Sequence, residues 1–260
     1  MDSYSHISVT DNYCQFLSEY ASWMLGCGAT CIRIEKNVQR IAQAWGMDAD
    51  ISIMPSHIHL TITDVNTSDT TLMVIKSAHC GINFGINAGL SQLSWTIADS
   101  KISFCETRKR FLNIINQASV NEWFVLILVG LANAAFCRLF GGDHVAMVLV
   151  LIATIAGYRL KQIMLSGGCD VRLTFLCSAF FSSVISAGGH VFGLGSTPEI
   201  AVGTSVLYLI PGVPYLNAVS DMMERHYLCA FSRFADACIL TACLSIGLCA
   251  GMFMLGLNWF

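Results

Sequence analysis

Apolar residues follow two regimes along this chain: up to about residue 120 they alternate with polar ones at the periods of helices and strands, and beyond it they run almost unbroken. From Asp11 to Gly26, Phe16, Leu17, Tyr20 and Met24 form a helical stripe that Gly26 and Gly28 interrupt. A second helix is predicted from about Thr30 to Trp45, with Ile34, Val38, Ile41 and Trp45 on one face and Gly46 as its stop. Ile51 to Met54, Ile58 to Thr63 and Thr71 to Lys76 read as strands, the last two joined by a polar turn over Asp64 to Asp69. From Ile82 to Ala98 an apolar run broken by Asn83, Asn87, Ser91, Gln92 and Ser94 predicts an amphipathic or buried helix. Gly81, Gly85 and Gly89 would lie on one face of it and admit a close neighbour. A further helix from about Ser103 to Ala118 carries Arg108, Lys109 and Arg110. These elements make residues 1–120 a small α+β domain.

The remainder, 121–260, reads as membrane. A spanning helix needs about 20 mostly apolar residues, and five stretches approach that: Trp123 to Phe140, Val145 to about Met164, Val171 to about Val191, Ile200 to about Met222, and Phe234 to Trp259. The fold class expected is therefore an α-helical polytopic membrane protein with five transmembrane helices and an N-terminal cytoplasmic α+β domain. With that domain inside, the cytoplasmic flanks carry Arg108, Lys109, Arg110, Arg159, Lys161, Arg172, Arg225 and Arg233, and the outer loops only Arg138. This bias fits a cytoplasmic N-terminus, an outside C-terminus and Trp259 and Phe260 at the outer interface. Met1 to Tyr20 lacks the basic and apolar regions of a signal peptide.

Composition sharpens this division. Only 12% of the 260 residues are charged, and the mean hydropathy is +0.61, whereas soluble domains carry about a quarter charged residues. Residues 1–120 hold 18 of the 31 charges. The net charge of −3 leaves no basic surplus for a nucleic-acid partner. The 12 cysteines are scattered, several in apolar runs such as Cys137, Cys177, Cys238, Cys243 and Cys249, and read as reduced structural residues.

The strongest chemical signal lies in the fourth apolar stretch, where Pro211, Gly212 and Pro214 precede Asn217 and Asp221. Proline lacks an N–H and clashes with the preceding turn, so Pro211 would free the carbonyl of Leu207 and Pro214 that of Ile210, with Gly212 allowing the bend. Discontinuous transporter helices hold ions and anionic groups in this way. Asn217 and Asp221 would share a face as substrate or ion ligands; the structural alternative is a kink with Asp221 paired to Arg225. Ser182 and Ser186, with Ser178 on the same stripe of the third span, could line a polar path or pack against a neighbour. Asn133, His190, Tyr208 and Asp236 are further polar residues in or near the apolar layer. Walker, nucleophile-elbow and zincin patterns are missing. Cys27, Cys31, His57 and His59 match no standard zinc spacing, and the Gly193 to Thr197 stretch reads as an outer loop. Neither cofactor nor metal is expected, and the chain does not read as an enzyme.

Several motifs in one order then bring a family into view: Gly28-Ala29-Thr30-Cys31-Ile32-Arg33-Ile34-Glu35, Arg40-Ile41-Ala42, Gly46, Met54-Pro55, Phe140-Gly141-Gly142, and Pro211-Gly212-Val213-Pro214 with Asn217 and Asp221. Over nearly the whole chain the sequence resembles the threonine/serine exporter family, most closely its split, YjjP-type branch. Cys31 stands where the family usually has serine or threonine. The resemblance implies secondary transport in the bacterial inner membrane: threonine and serine export in fused members, succinate export in the split pair. It implies as partner a YjjB-type small membrane subunit, which would supply the second hydrophobic half that this chain lacks. On this reading Pro211, Gly212 and Pro214 make the break, Asn217 binds substrate or ion, and Asp221 carries a proton or orders Asn217. Arg33 and Glu35, two apart on a helix and so facing different neighbours, are expected to couple the domain to the spans, with Arg40, Gly141 and Gly142 as further motif positions.

Overall fold

The computed structural model describes residues 9–78, 80–100, 102–117 and 120–256. Its contacts divide the chain into two units: residues through 118 together with Val213–Phe234, and Ser119–Gly212 together with Ala235 onward. The first unit is thus discontinuous, and a boundary at residue 120 leaves out 22 residues that fold with it, Val213–Phe234.

In the first unit, α1 (Val9–Gly26) and α2 (Cys31–Ala44) precede a meander of β1 (Met47–Ile53), β2 (His57–Asp64) and β3 (Thr70–Lys76), followed by α3 (Phe84–Ser100) and α4 (Phe104–Ile115). The sheet is antiparallel in the order β1-β2-β3, with Ile51 opposite Leu60 and Leu60 opposite Met73. Alternation puts Ile58, Leu60 and Ile62 on the buried face of β2. That face meets α1, while the Ile34-Val38-Ile41 stripe of α2 is wholly buried. The Tyr20 hydroxyl, also fully buried, donates to Leu90 O at 2.8 Å, so its burial leaves no polar group unpaired. The glycine stripe is not realised: α3 begins at Phe84, leaving Gly81 in irregular chain, and of the three glycines only Gly89 meets another helix, at Ile114 of α4.

The second unit contains α5 (Glu122–Leu139), α6 (His144–Ser166), α7 (Val171–Val191) and α8 (Pro198–Thr204), then a 3₁₀ turn at Leu207–Leu209. The chain continues as α9 (Gly212–Met223) and α10 (Tyr227–Met254). Among the described residues 4 helices are long and apolar enough to cross a membrane, or up to 5 if the broken pair Pro198–Leu209 and Gly212–Met223 is one span. The few acidic and amide residues gather at helix starts: Asn121, Asp143 and Asp170 each accept a backbone N–H as N-caps of α5, α6 and α7. Small residues bring helices together, since a side chain at Gly247 or Gly251 of α10 would strike the α7 backbone at Leu176 or the Ser183 hydroxyl. Trp259 and Phe260 lie outside the described residues.

Two expectations about charge and proline change. Arg233 is not a loop flank: α10 starts at Tyr227, seven residues ahead of the predicted start at Phe234, and carries Arg233 inside the helix. Pro214 does not break a helix. It sits in the first turn of α9, where the backbone donors have no intrahelical partner and a missing N–H costs nothing. The break belongs to Pro211, which holds the preceding Ile210 at φ −59°, ψ 123°. Neither anticipated carbonyl is freed: Leu207 O accepts from Ile210 N at 3.1 Å, and Ile210 O from Gly212 N at 2.8 Å.

Candidate functional site

The motif around Gly28 forms a turn between α1 and α2 that is held by side chains from far along the chain. Gly28 takes φ +85°, a left-handed conformation that lets the chain leave α1 and enter α2 at once. Thr30 occupies the N-cap of α2, but its side chain caps nothing. The uncapped donor end of α2 is satisfied instead by Asp221 of α9, whose Oδ1 accepts from Cys31 N at 2.8 Å. A carboxylate at a helix N-terminus answers both the orphan donors and the positive end of the helix dipole. Asn217, one turn earlier on the same face of α9, donates through Nδ2 to Gly28 O at 2.8 Å. Arg233 closes the arrangement: Nη2 donates to Ala29 O at 2.8 Å, and Nη1 lies 2.9 Å from Asp221 Oδ2. Asp221 is fully buried and the Arg233 side chain is 18% exposed.

Asn217 and Asp221 are therefore brought together, as their spacing required, but their polar atoms are turned on the chain itself. Arg225, the partner in the structural alternative, does not meet Asp221: it is exposed and ends α9 at φ +66°. Sequence reasoning missed Arg233 as a functional side chain because it was read as a flanking charge. An arginine within an otherwise apolar helix was the available signal.

Arg33, Glu35 and Arg40 project from α2 in different directions. Arg33 Nη1 donates to Asn87 Oδ1 at 3.3 Å, and Arg40 Nη1 donates to Asn37 Oδ1 at 2.7 Å and Ser94 Oγ at 2.6 Å while lying over the Trp95 ring. Both fasten α2 to α3. Glu35 Oε2 faces His226 Nε2 at 3.5 Å, in the link between α9 and α10. The zinc set is dispersed: Cys27 lies beside Cys80, Cys31 beside Cys229, and His57 beside Ser56, and among the described residues no three metal-binding side chains converge.

In the second unit, polar groups are buried beside the break. Ser182 Oγ is 2.9 Å from the Tyr208 hydroxyl and donates to Ala153 O at 3.2 Å, and Ser186 Oγ donates to Ser182 O at 3.1 Å. The Ser178 hydroxyl is fully buried without a hydrogen-bond partner. Gly157 makes room for the Ser182–Tyr208 pair, since a side chain there would collide with both hydroxyls. Asn133 Nδ2 donates to Thr154 Oγ1 at 2.7 Å and to Thr204 O at 3.1 Å. A cavity of about 340 Å³ opens against this seam, lined by Asn133 and Tyr208 among apolar Val129, Phe136, Phe140 and Ile210. An apolar pocket with a few directed polar groups is the usual form of a small-molecule site. Thr154, absent from the sequence-level candidates, carries no pattern of its own and becomes visible only through Asn133.

Gly141 and Gly142 end α5. Gly141, at φ +89°, donates to Arg138 O and Gly142 donates to Cys137 O, the paired bonds of a Schellman cap. Asp143 follows, accepting from Ala146 N and from both the backbone and the hydroxyl of Ser196, while Thr197 Oγ1 accepts from Asp143 N. The Gly193–Thr197 loop is thus latched to the α5–α6 connection. These hydrogen bonds, the backbone ones foremost, hold the Asp143 carboxyl down at about 2.

Apolar helices of spanning length, a broken helix pair and buried polar residues beside the break define a multi-pass membrane protein of transporter type. The chain belongs to the threonine/serine exporter family: the family model ThrE matches residues 15–255. The chain is 28% identical over 241 residues to a Klebsiella aerogenes protein named "Probable succinate transporter subunit YjjP", covering 92% of each. A protein of the same name from Escherichia coli K12 is 27% identical, with 91% of this chain and 92% of that one aligned. The "Probable threonine/serine exporter" of Mycobacterium tuberculosis is 21% identical over 88% of this chain but only 43% of its own length. No solved structure matches the chain. Membership in an exporter family implies a role in transport rather than catalysis.

Proposed function

We propose that the chain is one subunit of a secondary transporter that exports a small organic solute, a dicarboxylate such as succinate or a hydroxy amino acid such as threonine or serine. The observation that carries this reading is the cavity of about 340 Å³ at the Pro211 break, against the seam of Asn133, Ser182 and Tyr208. Its size accommodates either solute class, and it adjoins the interruption where a helix pair can bend during alternating access. On this reading Tyr208 and Asn133 face the solute path, Ser182 and Ser186 back Tyr208 from within the hydrogen-bonded seam, and Pro211 sets the break with Gly212 and Pro214 starting the following helix. Asn217 and Asp221 act from α9 on the Gly28 turn instead of touching the solute. The partner is a YjjB-type small membrane subunit; the near full-length match to proteins named as subunits and the match to less than half of a longer protein named as an exporter support a split assembly. The complex lies in the bacterial inner membrane, surrounded by lipid, with the N-terminus cytoplasmic and the C-terminus outside.

Reconstitution in liposomes, with and without the small subunit, tests the proposal. Efflux of labelled succinate, threonine or serine is expected only from the pair, and Ser182→Ala or Tyr208→Phe should reduce it about tenfold, the scale of one neutral hydrogen bond of about 1.4 kcal/mol. Unchanged efflux in both variants would remove the seam from the path.

A further inference from the structure

The Gly28–Cys31 turn is bracketed by two pairs of thiols. Cys27, the residue before Gly28, has its Sγ 3.2 Å from that of Cys80. Cys31, the residue after Thr30, lies against Cys229, whose Sγ also donates to Ile53 O at 3.3 Å. The pairs differ in access: Cys31 and Cys229 are 0% and 2% exposed, whereas Cys27 is fully buried and Cys80 only half-buried.

We propose that Cys27 and Cys80 are an oxidant-responsive dithiol, closing to a disulfide that ties the Gly28 turn to the segment ahead of α3. A disulfide needs its sulfurs about 2.0 Å apart, so the pair has only a short distance to travel. Cys80 lies in irregular chain between β3 and α3, which can supply that movement without breaking a helix or strand. The segment is held in place on either side of Cys80: Ala78 N donates to Ser22 O at 3.4 Å, and Asn83 N to Cys27 O at 3.1 Å. The two thiols therefore meet as neighbours in the folded chain, with no rearrangement of the surrounding elements.

The chemistry balances with a disulfide oxidant such as glutathione disulfide. The half-buried Cys80 thiolate attacks one glutathione sulfur, forming a mixed disulfide and releasing one glutathione thiol. The Cys27 thiol then loses its proton and attacks Cys80 Sγ, forming the internal disulfide and releasing the second glutathione thiol. Two protein thiols are oxidised and one glutathione disulfide is reduced to two thiols. Burial and the adjoining Cys80 thiol hold the Cys27 thiol up at about 12, which assigns the first attack to Cys80 and the resolving step to Cys27.

The test is peptide mapping of the purified full-length protein after exposure to glutathione disulfide. The expected product is a peptide pair joined through Cys27 and Cys80, lighter by two hydrogen atoms and separated again by dithiothreitol. Cys27→Ser should instead accumulate glutathione on Cys80, and Cys80→Ser should leave Cys27 unmodified. Hydrogen exchange of the amides from Gly28 to Ile34 should slow at least several-fold in the oxidised wild type. A wild type in which Cys80 stops at the mixed disulfide, or in which only other cysteines react, overturns the dithiol. A cross-link that leaves exchange in the turn unchanged overturns its effect on the turn. Both decisive readings are made on wild-type protein, so they stand even if a serine variant folds poorly.

Discussion

Asp221 caps a helix to which it is joined only through 190 residues of chain: its carboxylate accepts the backbone N–H of Cys31 at 2.8 Å, at the start of α2. The same carboxylate pairs with Arg233, and Arg233 and Asn217 hold the two carbonyls of the turn just before that helix. Here one oxygen serves the helix and the other the guanidinium, which makes Asp221 a fastening for the motif turn.

Asp221→Ala should therefore unfold the first unit more readily by about 3 kcal/mol, the usual scale for stripping one partner from a buried ion pair. The cost comes from leaving Arg233 buried with its countercharge gone and α2 with its first donor unpaired. Equilibrium unfolding in detergent measures it. Adding Arg233→Met should return a good part of the loss, because the second substitution removes the stranded charge; no recovery would mean that the pair is not the source of the stability.

The helices themselves were legible in the sequence because their determinants are local. The span predicted from Val171 to about Val191 is α7 with the same bounds, since Asp170 caps one end and the apolar run stops at the other. The strands and α2 followed from periodicity, with shifts of a few residues at their ends. The fastening of the Gly28 turn was not legible. Gly28, Cys31, Asn217 and Asp221 are named by motif, but nothing in a linear pattern says that Asp221 meets the Cys31 N–H, or that Arg233 belongs to the group and Arg225 does not. The glycine spacing before α3 misled for the converse reason: a helical repeat was counted across chain that is not helical until Phe84.

Gly157 on α6 should be intolerant of any side chain. A methyl group there would collide with the hydroxyls of Ser182 and Tyr208, separating two buried groups that satisfy each other. Gly157→Ala should cost about 1–3 kcal/mol, the penalty for a buried polar group left unpaired, and lower efflux from reconstituted complex. Adding Ser182→Gly and Tyr208→Phe together removes both hydroxyls the methyl would strike and should restore stability but not transport, a split that melting and flux assays read separately.

Asp143 predicts a pH dependence with a definite sign. Its carboxyl is held down at about 2 by the Ala146 and Ser196 donors, below the ordinary aspartate value of about 3.9. A group whose pKa is depressed by folding stabilises the fold above its unfolded pKa, and that contribution disappears as pH falls through the folded value. The stability difference between wild type and Asp143→Ala should thus be constant at neutral pH and shrink from about pH 4 toward pH 2. Thermal melts across that range, with hydrogen exchange at Ser196 as a local reporter, provide the measurement; a difference that grows on acidification would contradict the latch.

The two prolines of the fourth apolar stretch should behave differently, although each removes a backbone donor. Pro214 lies in the first turn of α9, where alanine would gain an N–H that has no carbonyl to meet, so Pro214→Ala should change stability by no more than about 0.5 kcal/mol and leave efflux intact. Pro211 is outside any helix, and its ring keeps Ile210 extended between the 3₁₀ turn and α9. Pro211→Ala lifts that restriction and lets Ile210 adopt helical angles, so the break can close by joining the two helical segments. Efflux from the reconstituted pair should fall, while amide exchange at Ile210 and Gly212 slows as new hydrogen bonds form. Equal effects of the two substitutions would place the functional break elsewhere in the stretch.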